Sequence, residues 1–500
     1  MIIFGVALTV ALMLGVGIAV AKKVDGDSAN YLVAGRSFGV PLVAVALATS
    51  AVDSNAIVGN TDLSSGAGFW AGASLAIGLA ICLLISGLFL AKPMNRIGLY
   101  TLADFFRRRY DRKTEVTASV LMIFAFTILL AGNLVAMGFL IEYFTGLPYA
   151  AGVVVAVLLV LAYTIGGGLY SDTYAAVIQA VITVVATVSL FVWVAIELGI
   201  SVPDGMGPFD LEQLTSADAG ATINWATLIA LGVGDLVAID FMQRIFSART
   251  PEIAQKSCFI GAGFTFGIGV LWSLIALTAT DVLGLTADVA PVMFQLLDGP
   301  APVLLAMLAL SGIVAASFST ASGAILATSA IAVRNILGIR KDPETSGDPL
   351  LRSTRRAMIP VVVIGIFLAI RVSQTGIMLA LAFDLMLTCL IAPFIGGLFW
   401  RRSTVTAALV SAVVGGGVRI VFLIFTPTIF GAPNDLFYIE NTVFGAGFDG
   451  WATMVAFAVA VTAFVVTARL TEHSVEEEVD LRHADRFDEV QKAAVDADLV

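Results

Sequence analysis

Thirteen apolar stretches, each long enough to cross a lipid bilayer, constrain this 500-residue chain more than any other feature. A helix needs about 20 apolar residues to cross the roughly 30 Å hydrocarbon core of a membrane. Charged residues make up 13% of the chain, against about 25% in ordinary soluble domains. We therefore predict an all-α membrane protein with spans near 2–21, 40–61, 67–91, 115–143, 149–165, 174–198, 223–243, 258–283, 301–333, 357–373, 375–399, 404–426 and 450–468.

Lysine and arginine are concentrated in alternate connections between these stretches. The connections after spans one, three, seven, nine and eleven are basic, whereas 199–222, 284–300 and 427–449 contain neither residue. Arg371 and Arg419 are the exceptions. Since cytoplasmic loops carry the excess of Lys and Arg, we expect the N-terminus outside a cell membrane and the C-terminus inside. We thus expect a membrane domain over 1–470 and an acidic cytoplasmic tail over 471–500.

Several function classes lack the residues that they need. Both histidines, His473 and His483, fall in the tail, so no imidazole is available inside the membrane as a metal ligand or proton relay. The three cysteines are far apart in sequence, which suggests neither a disulfide framework nor a metal cluster. Basic residues form no patch outside short loops, so we expect no nucleic-acid partner.

Residues 311–330, SGIVAASFSTASGAILATSA, combine seven hydroxyl side chains with no charge in an apolar span. On a helix, Ala316, Ser319 and Thr320 lie at i, i+3 and i+4 and share one face. Two hydroxyls and a carbonyl there would supply the oxygen ligands that small cations prefer. The alternative is helix packing, in which small residues allow close approach and hydroxyls bond to their own backbone.

Further oxygen ligands require a second helix with an interrupted backbone, because a regular helix uses its own carbonyls. The stretch 44–60, AVALATSAVDSNAIVGN, carries polar residues in mid-span that compete for backbone hydrogen bonds. A break there would free carbonyl groups between Thr49 and Val52.

Six segments, in this order, resemble the signatures of the sodium:solute symporter family, which includes sodium/glucose, sodium/proline and sodium/pantothenate transporters. They are YLVAGRSFG (31–39), TLADFFRRRYDRK (101–113), GGGLYSDTYAAVIQ (166–179), DFMQRIFSARTPEIAQ (240–255), FSTASG (318–323) and GLFWRRST (397–404).

The resemblance implies a leucine-transporter type fold with two inverted five-helix repeats, about 40–198 and about 223–399. It also implies Na⁺-coupled import of a small organic solute by alternating access, rather than an enzymatic activity. Carried over by position, the sodium ligands are the carbonyls of Thr49, Val52 and Ala316 and the hydroxyls of Ser319 and Thr320. Ala175 and Ala176 replace the Thr-Asp pair common in the family, which argues against a second cation site there.

Intramembrane carboxylates are expensive and mark functional positions. Asp240 precedes Arg244 by one helical turn, so we expect an ion pair between them. The expected solute cavity has no Lys or Arg on its spans, which favours a neutral or zwitterionic solute such as proline; sugars, carboxylates, vitamins and urea remain open. Its expected borders are Asp53, Asn55, Ala56, Phe69, Trp70, Asp235 and Asp384.

Two other classes are compatible with single features of the sequence. GVGD at 232–235 satisfies the Gly-x-Gly-Asp pattern of intramembrane aspartyl proteases, with Asp384 as a possible partner, but the Pro-Ala-Leu element of those enzymes is absent. An ion channel would need symmetric filter loops, and none is visible.

Overall fold

The computed structural model describes residues 2–341, 347–372, 374–435 and 437–471, and these are almost entirely helical. The predicted tail, 471–500, lies outside this part apart from Thr471. A short antiparallel pair joins β1 (Thr428–Ile429) to β2 (Ala432–Pro433). The helices are α1 (Ile2–Val20), α2 (Ser28–Val33), α3 (Val40–Ala51), α4 (Ser54–Ala67), α5 (Phe69–Ile85), α6 (Ala91–Ile97), α7 (Ala103–Arg109), α8 (Arg112–Thr145), α9 (Tyr149–Glu197), α10 (Glu212–Thr215), α11 (Ala221–Val233), α12 (Ile239–Ser247), α13 (Pro251–Leu283), α14 (Val292–Asp298), α15 (Val303–Ile331), α16 (Pro349–Arg371), α17 (Ile377–Phe399), α18 (Val405–Phe425) and α19 (Asp449–Leu470).

Within the described residues, ten helices are long and apolar enough to cross a membrane, and two bent helix pairs also qualify when each is taken as one span. The prediction of an all-α, multi-pass membrane protein is confirmed. Most predicted spans correspond to one helix or one bent pair. The exception is α9, which covers two predicted spans and the connection between them.

α9 has 49 residues and contains one non-helical position, Gly168, with φ 51° and ψ −132°. A straight helix of that length would measure about 73 Å, more than twice the hydrocarbon thickness. A Cβ at residue 168 would lie 2.5 Å from the Tyr31 carbonyl oxygen, so only glycine fits this turn. We therefore count α9 as two spans, which gives thirteen among the described residues. The connection between the predicted spans 149–165 and 174–198 is therefore shorter than expected. Residues 166–173 are helical except at Gly168.

Each half of the bundle contains one bent helix pair. α3 and α4 meet at 44°, and the segment Ala221–Val237, which extends α11 by a 3₁₀ turn, meets α12 at 48°. At the first bend, Val52 and Asp53 leave the helical conformation. At the second, Ala238 is extended, with φ −61° and ψ 120°. Interrupted helices of this kind leave backbone groups free to bind other partners.

The basic connections lie together at one end of the bundle, called the basic face below. Hydrogen bonds and an ion pair join them directly: Lys341 to Asp27, Arg36 to Gly98, Arg249 to Phe38, Arg112 to Ile336 and Arg109 to Gly397. The sequence pattern thus corresponds to a single surface of the molecule.

The hydroxyl-rich helix α15 passes through the centre of the bundle. Every residue from Ala309 to Ile331 is buried. α15 packs against α9, α8, α1 and α16, and it also contacts α3 beside the first bend. The hydroxyl groups of α15 therefore face protein rather than lipid.

Candidate functional site

The first bend is held by Asp53, which lies at the N-cap of α4. One carboxylate oxygen accepts a hydrogen bond from the backbone N–H of Ala56 at 2.6 Å, and the other accepts one from Asn133 Nδ2 on α8 at 2.8 Å. An aspartate at this position satisfies one of the otherwise unpaired N–H groups of the helix start. Asp53 therefore fixes the bend rather than facing an open space.

The carbonyl groups of Thr49 and Val52, predicted to bind sodium, have lost their helical partners at this bend. The side-chain amide of Gln179, on α9, donates to both, at 3.2 Å and 3.3 Å. Sequence reasoning missed Gln179, although a buried amide in an apolar helix is a signal that could have found it. Gln179 ties α9 to the end of α3 at the very carbonyls expected to bind an ion.

The predicted hydroxyl face of α15 lies against the same bend. Thr320 Oγ1 donates to the Ser50 carbonyl at 3.4 Å, and Ser319 Oγ is fully buried without a hydrogen-bond partner among the residues that the structure describes. A buried hydroxyl without a partner is costly, so a ligand at that point would be stabilising. Uncharged hydroxyl and carbonyl oxygens between two helices fit a small cation such as Na⁺.

The second bend carries Asp235 in a different environment. Asp235 is 1% exposed, and neither carboxylate oxygen has a hydrogen-bond partner among the described residues. The Cys82 thiol, a weak donor, is adjacent, and Asp53 and Asp240 are near enough to add negative potential. The surroundings of Asp235 thus favour a positively charged or proton-donating ligand.

The other expected border residues divide into two groups. Asn55 and Ala56 lie at the first bend, where Asn55 Oδ1 accepts a hydrogen bond from the Gly376 N–H at 2.6 Å. Asn55 Nδ2 has no hydrogen-bond partner within the described ranges. Phe69 and Trp70 lie at the start of α5, under the loop 199–222. The Trp70 indole donates to the Pro208 carbonyl at 3.1 Å, so this ring helps to hold a loop.

Asp384 faces the outer helices. Its carboxylate forms an ion pair with Arg419 of α18, and both side chains are buried. In the sequence, Arg419 stands out only as an exception to the alternation of basic connections. The structure gives this arginine a partner and leaves Asp384 with less capacity to bind a solute cation.

A buried charge cluster lies one turn beyond the hydroxyl face. The expected ion pair between Asp240 and Arg244 is confirmed at 3.3 Å, and Arg244 also pairs with Asp172 of α9 at 2.8 Å. Ser322 Oγ of α15 lies within hydrogen-bond distance of the Asp172 carboxylate and of the Ser319 carbonyl, and its one hydrogen is shared between these two acceptors. The cluster links α9, α12 and α15 beside the candidate ion site.

The two bent pairs are joined to each other at the basic face. The Phe38 N–H donates to the Ser247 carbonyl at 3.1 Å, and the Arg249 N–H donates to the Phe38 carbonyl at 3.0 Å. Asn95 Nδ2 donates to the carbonyls of Ile245 and Ala248, both at 2.8 Å. These bonds close the basic face around the ends of α3 and α12.

Comparison with known sequences places this architecture among transporters. The model of the "Sodium:solute symporter family" matches residues 31–415. The chain is 24% identical to the uncharacterized symporter YwcA of Bacillus subtilis over 71% of this chain and 72% of that one. It is 24% identical to the high-affinity choline transporter 1 of Caenorhabditis elegans, over 81% and 73% of the two chains. It is 22% identical to sodium/proline symporter 2 of Staphylococcus saprophyticus, over 87% and 88%.

Solved structures show the same fold at low sequence identity. A substrate-bound, outward-open Na⁺-coupled sialic acid symporter superposes with a TM-score of 0.71 at 16% identity, covering 94% of this chain and 97% of that one. MhsT in complex with L-phenylalanine gives a TM-score of 0.51 at 13% identity, covering 86% and 97%. The expected leucine-transporter type fold is confirmed.

Proposed function

Because the chain belongs to the sodium:solute symporter family, we propose that it imports a small organic solute bearing a positively charged nitrogen, driven by Na⁺. Membership of the family establishes that the chain is a symporter. The chemical class of the solute and the residues that bind it are what we propose. The family and the relatives are transporters rather than enzymes. The aspartyl protease alternative therefore has no support, and Arg419 already pairs with the Asp384 that such an enzyme would need.

The proposed ion site uses the carbonyls of Thr49, Val52 and Ala316 with the hydroxyls of Ser319 and Thr320. Two observations support it: the unpartnered, buried Ser319 Oγ, and the contact between Thr320 and the broken end of α3. None of these ligands titrates near neutral pH, so a proton cannot replace Na⁺ there by protonating a ligand.

Gln179 gives this site a means of coupling ion binding to helix movement. Its amide holds the Thr49 and Val52 carbonyls while donating from α9. An ion bound to those carbonyls has to displace the amide hydrogens, because both compete for the same oxygen atoms. Ion binding would then release α3 from α9 and change the energy of the bend.

Asp235 is the observation that carries the proposal for the solute. Both of its oxygens are buried beside a helix break, without hydrogen-bond partners among the described residues. A charged nitrogen there would be attracted to the carboxylate, and one that carries N–H groups would also donate charge-assisted hydrogen bonds. The names of two relatives, a choline transporter and a sodium/proline symporter, refer to solutes that carry a positive nitrogen. An anionic solute would be repelled by the carboxylate of Asp235, which has no hydrogen-bond partner among the described residues.

For topology and organisation, we propose repeats of about 40–198 and 223–399, with the basic face in the cytoplasm and the N-terminus outside the cell membrane. The clustering of the basic connections at one end supports this orientation. Cysteine accessibility scanning tests it. Labelling of a cysteine at Asp210 only from the cytoplasm would contradict it.

The solute is tested by uptake into vesicles containing the purified protein, with and without an inward Na⁺ gradient. The panel contains proline, other amino acids, choline, glucose, acetate, pantothenate and urea. We expect Na⁺-dependent accumulation of a solute with a cationic nitrogen. Accumulation of acetate or pantothenate alone would contradict the role of Asp235 while leaving sodium symport intact.

The ion site is tested separately by the Ser319→Ala and Thr320→Ala double variant. Loss of two oxygen ligands should raise the Na⁺ concentration for half-maximal uptake by about tenfold or more, since each polar contact to a charge contributes about 1.5–3 kcal/mol. Ser311→Ala, on the same helix but outside this face, is the matched control. Unchanged Na⁺ dependence in the double variant would reject the site.

A further inference from the structure

A groove along the side of the bundle has no role in the proposed transport site. Its volume is about 760 Å³, and its lining comes from α8, α16, α17, α18 and residues between 429 and 435, with Phe437. Leu381 and Leu385 of α17 line it, together with Gly416, Gly417 and Ile420 of α18. Val413 and Ile420, which also line it, are exposed at 68% and 50%, so the groove opens toward the surrounding membrane.

The length of the groove corresponds to about one leaflet. Its lining on α17 runs from Ile377 to Cys389, and twelve residue steps on a helix measure about 18 Å. Half of the hydrocarbon core measures about 15 Å. A single acyl chain inserted from one leaflet would therefore match the length of the groove along α17.

The mouth of the groove carries charges of both signs. Arg371, Gln374 and Asp435 line it at the end of the bundle opposite the basic face. The Arg371 guanidinium lies over the Phe367 ring at 5.6 Å, and the structure shows no ion pair for it within the residues it describes. Arg371 is also an exception to the alternation of basic connections, because it lies at the end of the bundle opposite the basic face. The preference of basic residues for the cytoplasmic side therefore does not explain its position.

We propose that this groove binds one zwitterionic phospholipid, with an acyl chain along α17 and α18, the phosphate at Arg371 and the headgroup ammonium at Asp435. Arginine binds phosphate with two parallel N–H donors and so suits this position. Lipid tails are as apolar as the groove itself, so apolar contact alone gives little selectivity. The headgroup charges supply the selectivity, and the groove walls fix the position of the chain.

The test uses full-length protein in phosphatidylglycerol nanodiscs, whose lipid lacks the headgroup ammonium, with a trace of phosphatidylethanolamine that carries a diazirine on one acyl chain. After photolysis, adducts on peptides of α17 and α18 are compared with adducts on α13. A diacylglycerol probe with the same chain lacks the phosphate and the ammonium. We expect the ratio of adducts on α17 and α18 to adducts on α13 to be about tenfold higher for the phospholipid probe than for the diacylglycerol probe.

Two variants separate the headgroup from the chain. Arg371→Gln should lower the phospholipid ratio severalfold toward that of diacylglycerol, whereas Arg402→Gln, at an exposed position on the basic face, should not. Gly417→Leu should block the groove and lower adducts there by about tenfold. Gly263→Leu on α13 is its matched control, because a Cβ at Gly417 or at Gly263 meets no atom within 4 Å.

Equal adduct ratios for the two probes would overturn the headgroup assignment. Equal labelling of the groove and α13 by phospholipid would show ordinary lipid contact and overturn the site. Thermal unfolding of each variant shows that it is folded. Arg371→Gln changes an exposed side chain, so the headgroup test does not depend on the glycine variant.

Discussion

The bend between α3 and α4 and the bend between α11 and α12 have similar angles, 44° and 48°, and each carries a buried aspartate. At the first, both oxygens of Asp53 accept hydrogen bonds from the protein. At the second, neither oxygen of Asp235 has a hydrogen-bond partner in the described part of the chain. The two breaks therefore have the same geometry but not the same degree of polar satisfaction.

This difference separates a structural role from a binding role. A satisfied carboxylate at a helix N-cap stabilises the bend, and its removal affects folding first. A buried carboxylate without a partner destabilises the protein when no ligand is bound. A bound ligand that pairs with the carboxylate removes this cost. Intramembrane aspartates in one chain can thus be sorted by their hydrogen bonds, which their positions in the sequence do not reveal.

The largest effect is expected for Asp53→Ala. The variant loses an N-cap and leaves the Asn133 amide without its carboxylate partner, at a combined cost of about 2–4 kcal/mol. The midpoint of thermal unfolding in detergent should fall markedly, and uptake should fall with it. A variant with an unchanged midpoint would remove the distinction between the two bends.

Asp235→Asn should have the opposite pattern. Folding stability should stay the same or rise, because a neutral amide is easier to bury than an unpaired carboxylate. The solute concentration for half-maximal uptake should rise by about 10- to 100-fold, the effect of losing one charged hydrogen-bonding partner. Radiolabelled uptake and unfolding are measured on the same preparation. Reduced stability with normal solute affinity would assign Asp235 a structural role.

A smaller effect, on the ion rather than the solute, is expected for Gln179→Leu. Removing the amide frees the Thr49 and Val52 carbonyls from a competing donor, so the Na⁺ concentration for half-maximal uptake should fall by about fivefold. Stability without Na⁺ should also fall, since two buried carbonyls lose their partner. An increase in the Na⁺ requirement would instead indicate that the amide oxygen is itself a ligand.

The smallest effect concerns the connection between the two bent pairs. Asn95→Ala removes two hydrogen bonds to the end of α12 and should loosen the basic face, with hydrogen exchange of the Phe38 and Arg249 amides about two- to fivefold faster. Gln255→Ala is the control, because its amide donates to Gly87 and not to either bent pair. Equal exchange in the two variants would show that Asn95 does not hold this closure.

The sequence predicts local features of the fold well and contacts between distant segments poorly. The first break was predictable because Asp53 and Ser54 favour a helix start in the middle of an apolar stretch. The shared face of Ala316, Ser319 and Thr320 follows from helical periodicity alone. The ion pair of Asp240 with Arg244 is also local, at i and i+4.

The missed contacts join residues that no periodicity relates. Gln179 reaches the Thr49 carbonyl across 130 positions, and Arg419 reaches Asp384 from another helix. Asp235 illustrates a second limit: the sequence shows a carboxylate in a span, but only the packing around it shows that it lacks partners. The arrangement of the helices in three dimensions determines both the long-range contacts and the lack of partners for Asp235.

Gly168 has a consequence for the whole chain. If α9 were a single crossing, the number of crossings would be even and both termini would lie on the same side of the membrane. With α9 counted as two crossings that meet at this glycine, the proposed number is odd, and every segment after it takes the opposite orientation to the one it would otherwise have. The parity of the topology thus depends on one residue, whose φ of 51° and contact with the Tyr31 carbonyl exclude any side chain.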